Sequence, residues 1–341
     1  MLQSSHSKNV RPSLKRLLFG GLSGSIGIIG VVFAVSLYIV ETLIRPKKYR
    51  TAFETYKFSP FELELPAEEV HFPSDAGTHL VSGWFIPRPG ATTAIVICPG
   101  YRSDKFDVLG IAAHLWKANH HILAFEYHGH GEVVGTPITL GYSEIHDFLG
   151  AIAYIQQRAP GARIGVVGYS MGAAVSIMGT ARSSAVEALV SDSAFATHAS
   201  VVDYQFRRIF HVPSPPVYWM TDNLLWWRAG YHFKQVEPLR DVAKIAPRPI
   251  LFIHGEKDSL VDPRDAELLY NAAQEPKELW LLPNVDHCGV YFADRRAYVK
   301  KVVDFFDLYL KNMPRLQLVE SPMAEELSTL EAPHDGLSAA S

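Results

Sequence analysis

The sequence predicts an α/β fold: a mainly parallel, doubly wound sheet with helices on both faces and a helical insert. Three observations predict it. Short Val/Ile/Leu-rich runs, nearly unbroken by polar residues, recur after residue 90, as strands covered on both faces do. Helical patterns separate them, and strand–helix alternation of this kind favours parallel pairing. More than fifty residues without a clear strand, dense in aromatic side chains, then interrupt the rhythm before the last two runs.

The elements follow in chain order. Eight β-rich runs read EEVHF, HLVSGWFIP, TAIVIC, HILAFEY, RIGVVG, VEALVSD, PILFIHG and ELWLLP. The first two lie close together and predict an antiparallel hairpin. Helices are expected over Lys105–Asn119, Tyr142–Gln157, Met171–Arg182 and Pro263–Gln274. The insert, at about 196–245, carries Tyr204, Phe206, Phe210, Tyr218, Trp219, Trp226, Trp227, Tyr231 and Phe233. A structureless loop of that length is out of place in a compact domain. It is therefore read as a helical cap, most of whose rings pack it down while some line a pocket.

The N-terminal region has a different character. No charged residue occurs between Arg16 and Glu41. As a helix this run would be about 36 Å long, enough for a hydrocarbon core of about 30 Å. A cleaved signal peptide would have a shorter apolar core, about 7–15 residues, ending at small residues. Residues 17–44 are therefore read as one transmembrane helix, after a short segment 1–16 and before a linker 45–66. Gly20-x-x-x-Gly24 is a weak helix-packing signal among so many glycines. Lys8, Arg11, Lys15 and Arg16 precede the span, and Arg45, Lys47, Lys48 and Arg50 follow it. The balance leaves open which side of the membrane the domain faces. The Glu/Ser/Ala/Pro-rich tail 313–341 has the composition of a disordered segment.

Composition narrows the function. The 32 Lys+Arg and 35 Asp+Glu residues leave a net charge of −3, with no basic tract beyond the N-terminal region, so nucleic acid is not an expected partner. Two cysteines, Cys98 and Cys288, make neither a disulfide framework nor a metal motif. No cofactor and no metal is expected.

The chemistry centres on GYSMG, residues 168–172, where a β-rich run meets a helical one. Gly-x-Ser-x-Gly in this setting predicts a sharp turn that holds Ser170 exposed above the sheet. The plain alternative is an ordinary strand–turn–helix junction. A serine hydroxyl needs a base to take its proton, and the base needs an orienting carboxylate. HGEKDSLVD places Asp258 in the turn after a buried-type strand, and LPNVDHCGV places His287 after the next. Asp192 is the competing acid. Asp262 suits helix capping ahead of Pro263, and Asp286 is too close in sequence to orient its neighbour. His128 and His130 in EYHGHGE suggest metal, but no third ligand stands at a familiar spacing. Asp147 is expected to cap or brace the sheet, and Cys288 to be a small semi-buried residue.

With these three motifs in order, the chain from about Glu68 to Leu310 resembles the α/β-hydrolase superfamily. The resemblance implies an eight-stranded, mostly parallel sheet in a domain spanning 67–312, with Ser170, Asp258 and His287 as triad. It also implies an oxyanion hole built from the backbone N–H of Met171 and one from the loop CPGYRSDK, for which Tyr101 is the candidate. That loop has Pro99-Gly100 where many members have His-Gly, which leaves a backbone donor available. EYHGHGE resembles the family's loop after the fourth strand, with Glu126 and His128 in place of the usual acid and arginine, and is read as structural. The implied protein is a membrane-anchored serine hydrolase acting on a carboxylic ester or thioester through an acyl-enzyme. Its substrate is a small-molecule or lipid-like acyl compound. Amide or peptide cleavage, or a non-catalytic membrane-tethered binding role, are the alternatives. Ser170 argues against haloalkane or epoxide hydrolysis, which uses an aspartate nucleophile.

Overall fold

The computed structural model describes residues 14–45, 58–131, 136–210 and 215–315. Most of the expected N-terminal segment and linker, and the tail from 316, lie outside them. All eight expected runs are strands of one sheet: β1 (Glu68–Pro73), β2 (Leu80–Ile86), β3 (Thr93–Cys98), β4 (His121–Glu126), β5 (Arg163–Tyr169), β6 (Val186–Asp192), β7 (Ile250–Gly255) and β8 (Lys277–Leu282). Their spatial order is β1-β2-β4-β3-β5-β6-β7-β8. The β1–β2 and β2–β4 pairs are antiparallel, and the rest are parallel.

Period-2 alternation divides the buried strands between two cores. In β3, Ala94, Val96 and Cys98 face one side and Ile95 and Ile97 the other. The first side is covered by α3 (Glu144–Arg158), α4 (Met171–Thr180) and α8 (Arg264–Ala272). The second is covered by α2 (Leu109–Lys117) and α10 (Arg295–Phe306). Each Ile or Val so buried stabilises the fold by about 1.5–3 kcal/mol. α4 is buried along its whole length, and its small residues let it lie close to the sheet.

The helix expected from Lys105 begins later, at Leu109. Asp104 Oδ1 accepts from Phe106 N at 3.0 Å, and Asp107 Oδ2 from Asp104 N at 3.1 Å. These carboxylates satisfy the backbone in a turn and so delay the helix.

The insert between β6 and β7 is helical, with α5 (His198–Phe210), α6 (Pro215–Ala229) and the single turn α7 (Pro238–Asp241). Tyr231 and Phe233 are buried, but Trp219, Trp226 and Trp227 on α6 are 65%, 56% and 68% exposed. The expectation that most rings pack the insert down therefore fails for its tryptophans. At positions 219, 226 and 227 they share the outer face of α6, opposite buried Leu224 and Leu225.

The N-terminal expectation also needs correction. The backbone of 17–44 lies within one helix, α1 (Leu14–Ile44). Among the described residues, however, no helix is long and apolar enough to cross a membrane. The C-terminal half of α1 is docked on the domain instead. Val40 and Ile44 are buried with Leu224, Leu225, Tyr231 and Phe233. Ser36 Oγ donates to Val217 O at 3.3 Å, and Arg228 Nε to Glu41 Oε1 at 2.6 Å. Apolar residues at positions 40 and 44 supply a helix stripe for protein as readily as for lipid.

Phe306 is fully buried, and its ring edge lies 2.6 Å from where a Cβ on Gly165 would stand. Phe306→Ala is expected to cost about 3–5 kcal/mol, read as a lower urea midpoint at unchanged slope.

Candidate active site

Strand order creates the site. From β3 the chain moves one way to β4, then returns across β3 to β5 on its other side. Between β3 and β5 the connections leave in opposite directions, which opens a crevice at their C-terminal ends. Pro99 to Tyr101 follow β3 there, and Ser170 follows β5.

Ser170 sits at φ 51°, ψ −117°, between β5 and α4. Such a backbone costs of order 1–3 kcal/mol. Its polar groups are tied down: Ser170 N donates to Asp192 O at 2.8 Å, and Ser170 O accepts from Ala173 N and Ala174 N at 3.0 Å. The flanking glycines are required by contact. A Cβ at Gly172 would stand 2.3 Å from Pro99 O and 2.4 Å from Cys98 O; one at Gly168 would stand 2.6 Å from Ala173 Cα.

The three expected side chains come together. His287 Nε2 is 2.8 Å from Ser170 Oγ, and His287 Nδ1 is 2.7 Å from Asp258 Oδ2. Asp258 Oδ1 accepts from Leu260 N and Val261 N, both at 2.8 Å. Burial alone would raise the Asp258 pKa, but His254, His287 and the Val261 N–H outweigh it and hold the carboxyl well below the usual range. Asp258 is therefore ionised at neutral pH. Its contribution to stability is present above the unfolded carboxylate value of about 4 and is lost as pH falls.

The competitors have other positions. Asp192 accepts from Tyr298 Oη and from Ser193 Oγ, both at 2.9 Å, and Ser193 Oγ accepts from Cys288 N at 3.1 Å. Asp192 thus braces the histidine loop from beneath. Asp286 does not orient the imidazole; its Oδ1 accepts from both His287 N and Ser259 N at 2.7 Å, tying the acid loop to the histidine loop. Asp262 Oδ1 accepts from Arg264 N at 3.1 Å, at the start of α8. Cys288, at φ 51°, is partly buried beside His287.

Met171 is the first residue of α4, where a helix N–H has no intrahelical acceptor. Tyr101 lies in the turn after β3, beside Gly100, whose Cβ position is 3.4 Å from Ser170 Cβ. The Tyr101 hydroxyl points away, to Thr42 O at 3.1 Å and Leu43 O at 2.9 Å.

His79, His128 and Asp147 bring three potential metal-ligand atoms within 4.8 Å of one another. Each Asp147 oxygen already meets one imidazole, His79 Nε2 or His128 Nδ1, at 2.6 Å. His128 N also donates to Asp147 Oδ2. The group is accounted for as a hydrogen-bonded brace for the loop after β4, and His130 turns aside to His128 O. His128 is buried, which lowers its pKa, but the Asp147 hydrogen bond and the Glu144 charge raise it overall.

Sequence reasoning missed His254. It is fully buried, with Nε2 3.0 Å from Asp258 Oδ2, off any hydrogen-bond direction. A histidine ending the apolar run ILFIHG, four residues before the acid, was the available signal.

Comparison with known proteins agrees with this architecture. The family model described as "Alpha/beta hydrolase family" matches residues 95–301. The chain belongs to that family. This α/β-hydrolase is similar to the uncharacterized protein YqkD of Bacillus subtilis, 26% identical over 301 residues, 85% of this chain and 96% of that one. It is also similar to the uncharacterized protein YfhR of Escherichia coli, 28% identical over 250 residues, 70% of this chain and 80% of that one. Among solved structures, the esterase PF2001 of Pyrococcus furiosus superposes with a TM-score of 0.64 at 20% identity, covering 79% of this hydrolase and 98% of the esterase. At that identity the likeness shows the fold.

Burial pushes the Asp192 carboxyl up to about 6, against the Tyr298 and Ser193 hydrogen bonds. The folded chain therefore holds a proton that the unfolded chain has released, and stability falls as pH rises from about 4 to about 6, by roughly 3 kcal/mol at most. Asp192→Asn is expected to gain on wild type by up to that amount across the window in pH-dependent urea denaturation. Parallel pH slopes would show that Asp192 titrates like an unfolded carboxylate.

Proposed function

We propose that this chain is a serine hydrolase that cleaves a carboxylic ester or thioester with an apolar acyl part. The observation that carries the reading is the continuous relay from Ser170 Oγ through His287 to Asp258, at 2.8 and 2.7 Å. In the proposed reaction His287 Nε2 takes the Ser170 proton while Oγ attacks the acyl carbonyl carbon. The N–H groups of Met171 and Tyr101 receive the oxyanion; one such donor is worth about 3–4 kcal/mol in the transition state. His287 then protonates the departing alcohol or thiol, leaving an acyl-enzyme on Ser170. Water, deprotonated by His287, attacks that acyl group, and Ser170 leaves with the proton. Ionised Asp258 holds the imidazole tautomer and stabilises the imidazolium.

Support for an ester comes from the fold shared with an esterase. Support for an apolar acyl part comes from the aromatic-rich helical insert between β6 and β7. A membrane anchor is kept in the proposal only for the part of the expected span 17–44 ahead of its docked C-terminal half, supported by the uncharged run that begins after Arg16. On carbonate washing, the full chain is expected to stay with the membrane pellet; release into the supernatant would remove the anchor from the proposal.

The decisive experiment reacts the full chain in mild detergent with a fluorophosphonate probe and with p-nitrophenyl esters of rising chain length. Ser170→Ala is expected to lose all labelling and to lower kcat on the order of 10⁴-fold or more, with its unfolding curve near wild type. A folded wild-type protein that neither labels nor turns over would sink the hydrolase reading and favour a binding role.

A further inference from the structure

The last turn of α1 ends against the candidate oxyanion loop. The terminal carbonyls of a helix have no acceptor role within it and need outside donors. Here the Tyr101 hydroxyl donates between Thr42 O and Leu43 O, at 3.1 and 2.9 Å, and Ile138 N donates to Ile44 O at 2.9 Å. Ile44 and Val40 are buried in the cluster that holds Ala174 and Met178 of α4. The Arg228–Glu41 pair fixes the same stretch of α1 to α6. Burial pushes the Tyr101 hydroxyl up to about 12, so it remains a donor through neutral pH. Tyr101 thus has two ends. Its hydroxyl is held by α1, and its backbone follows Gly100, which packs on Ser170.

We infer that the last turn of α1 is part of the catalytic architecture, acting through the Tyr101 side chain to fix the 99–102 loop beside Ser170. Tyr101 is then a positioning residue through its hydroxyl as well as the proposed donor through its N–H. The inference rests on the hydrolase reading for its catalytic consequence, but not for the contact itself. Two readouts keep them apart.

The test compares wild type, Tyr101→Phe, Ile44→Ala and the double variant in the full chain. Tyr101→Phe removes the hydroxyl and keeps the ring and the N–H. Ile44→Ala unseats the helix end without touching the loop. Each single variant is expected to lower kcat about tenfold, with KM for a short p-nitrophenyl ester within about twofold, equivalent to about 1.4 kcal/mol on the barrier. Amide hydrogen exchange over 99–104 is expected to quicken at least about tenfold, the same barrier scale. The double variant is expected to lose no more than the larger single loss, because both break one contact. Unchanged kcat, unchanged loop exchange, or additive losses in folded variants would each overturn the inference. A wild-type chain that is inert to esters and phosphonate would instead overturn the hydrolase reading, and loop exchange would still decide whether α1 holds the loop.

Discussion

The rest of the site depends on one close approach. The first turn of α4 passes so near the end of β3 that any side chain at Gly172 would strike the carbonyls of Cys98 and Pro99. With hydrogen at that position, the β5–α4 turn can close at Ser170, and the loop after β3 can lie against it. The unusual Ser170 backbone is the cost of that closure. The hydrogen bond from Ser170 N to Asp192 O, and those to Ser170 O, help offset it. A nucleophile candidate, two candidate oxyanion donors and the neighbouring strand end are thus placed by one contact between backbones.

The other two side chains are placed by ties between loops. Asp258 and His287 follow adjacent parallel strands, β7 and β8, so their loops leave the sheet at the same edge. Asp286 links the two loops by accepting from both, and Ser193 links the histidine loop to Asp192 on the next strand inward. The imidazole is therefore oriented from the acid side and supported from below. Low local dielectric strengthens such a network when its members are paired. His254, close to Asp258 without a directed hydrogen bond, is the one member that does not fit that description.

Much of this was legible in the sequence because it rests on local pattern. Unbroken runs such as TAIVIC must be buried on both sides, and all eight runs are strands. GYSMG implies a crowded turn, and HGEKD and DHCG lie just past strand ends. What the sequence hid depends on distant partners. The apolar stripe on α1 reads alike whether lipid or protein covers it, and only Leu224 and Leu225, far along the chain, decide the described half. The Tyr101 hydroxyl gives no sign of its acceptors 58 and 59 residues earlier. The ring count of the insert could not separate buried Phe233 from exposed Trp227, because facing depends on where the helix is set down. His79 meets Asp147 across 68 residues, beyond any spacing rule.

The docking of α1 has a consequence for synthesis. Translation runs from the N-terminus, so Glu41 leaves the ribosome 187 residues ahead of Arg228, its ion-pair partner. Val40 and Ile44 must wait nearly as long for Leu224 and Leu225. Throughout that interval the apolar positions 40 and 44 lack the surface that later covers them. The first of the described elements to be made is thus among the last to be seated, because α6 must be complete before it can dock.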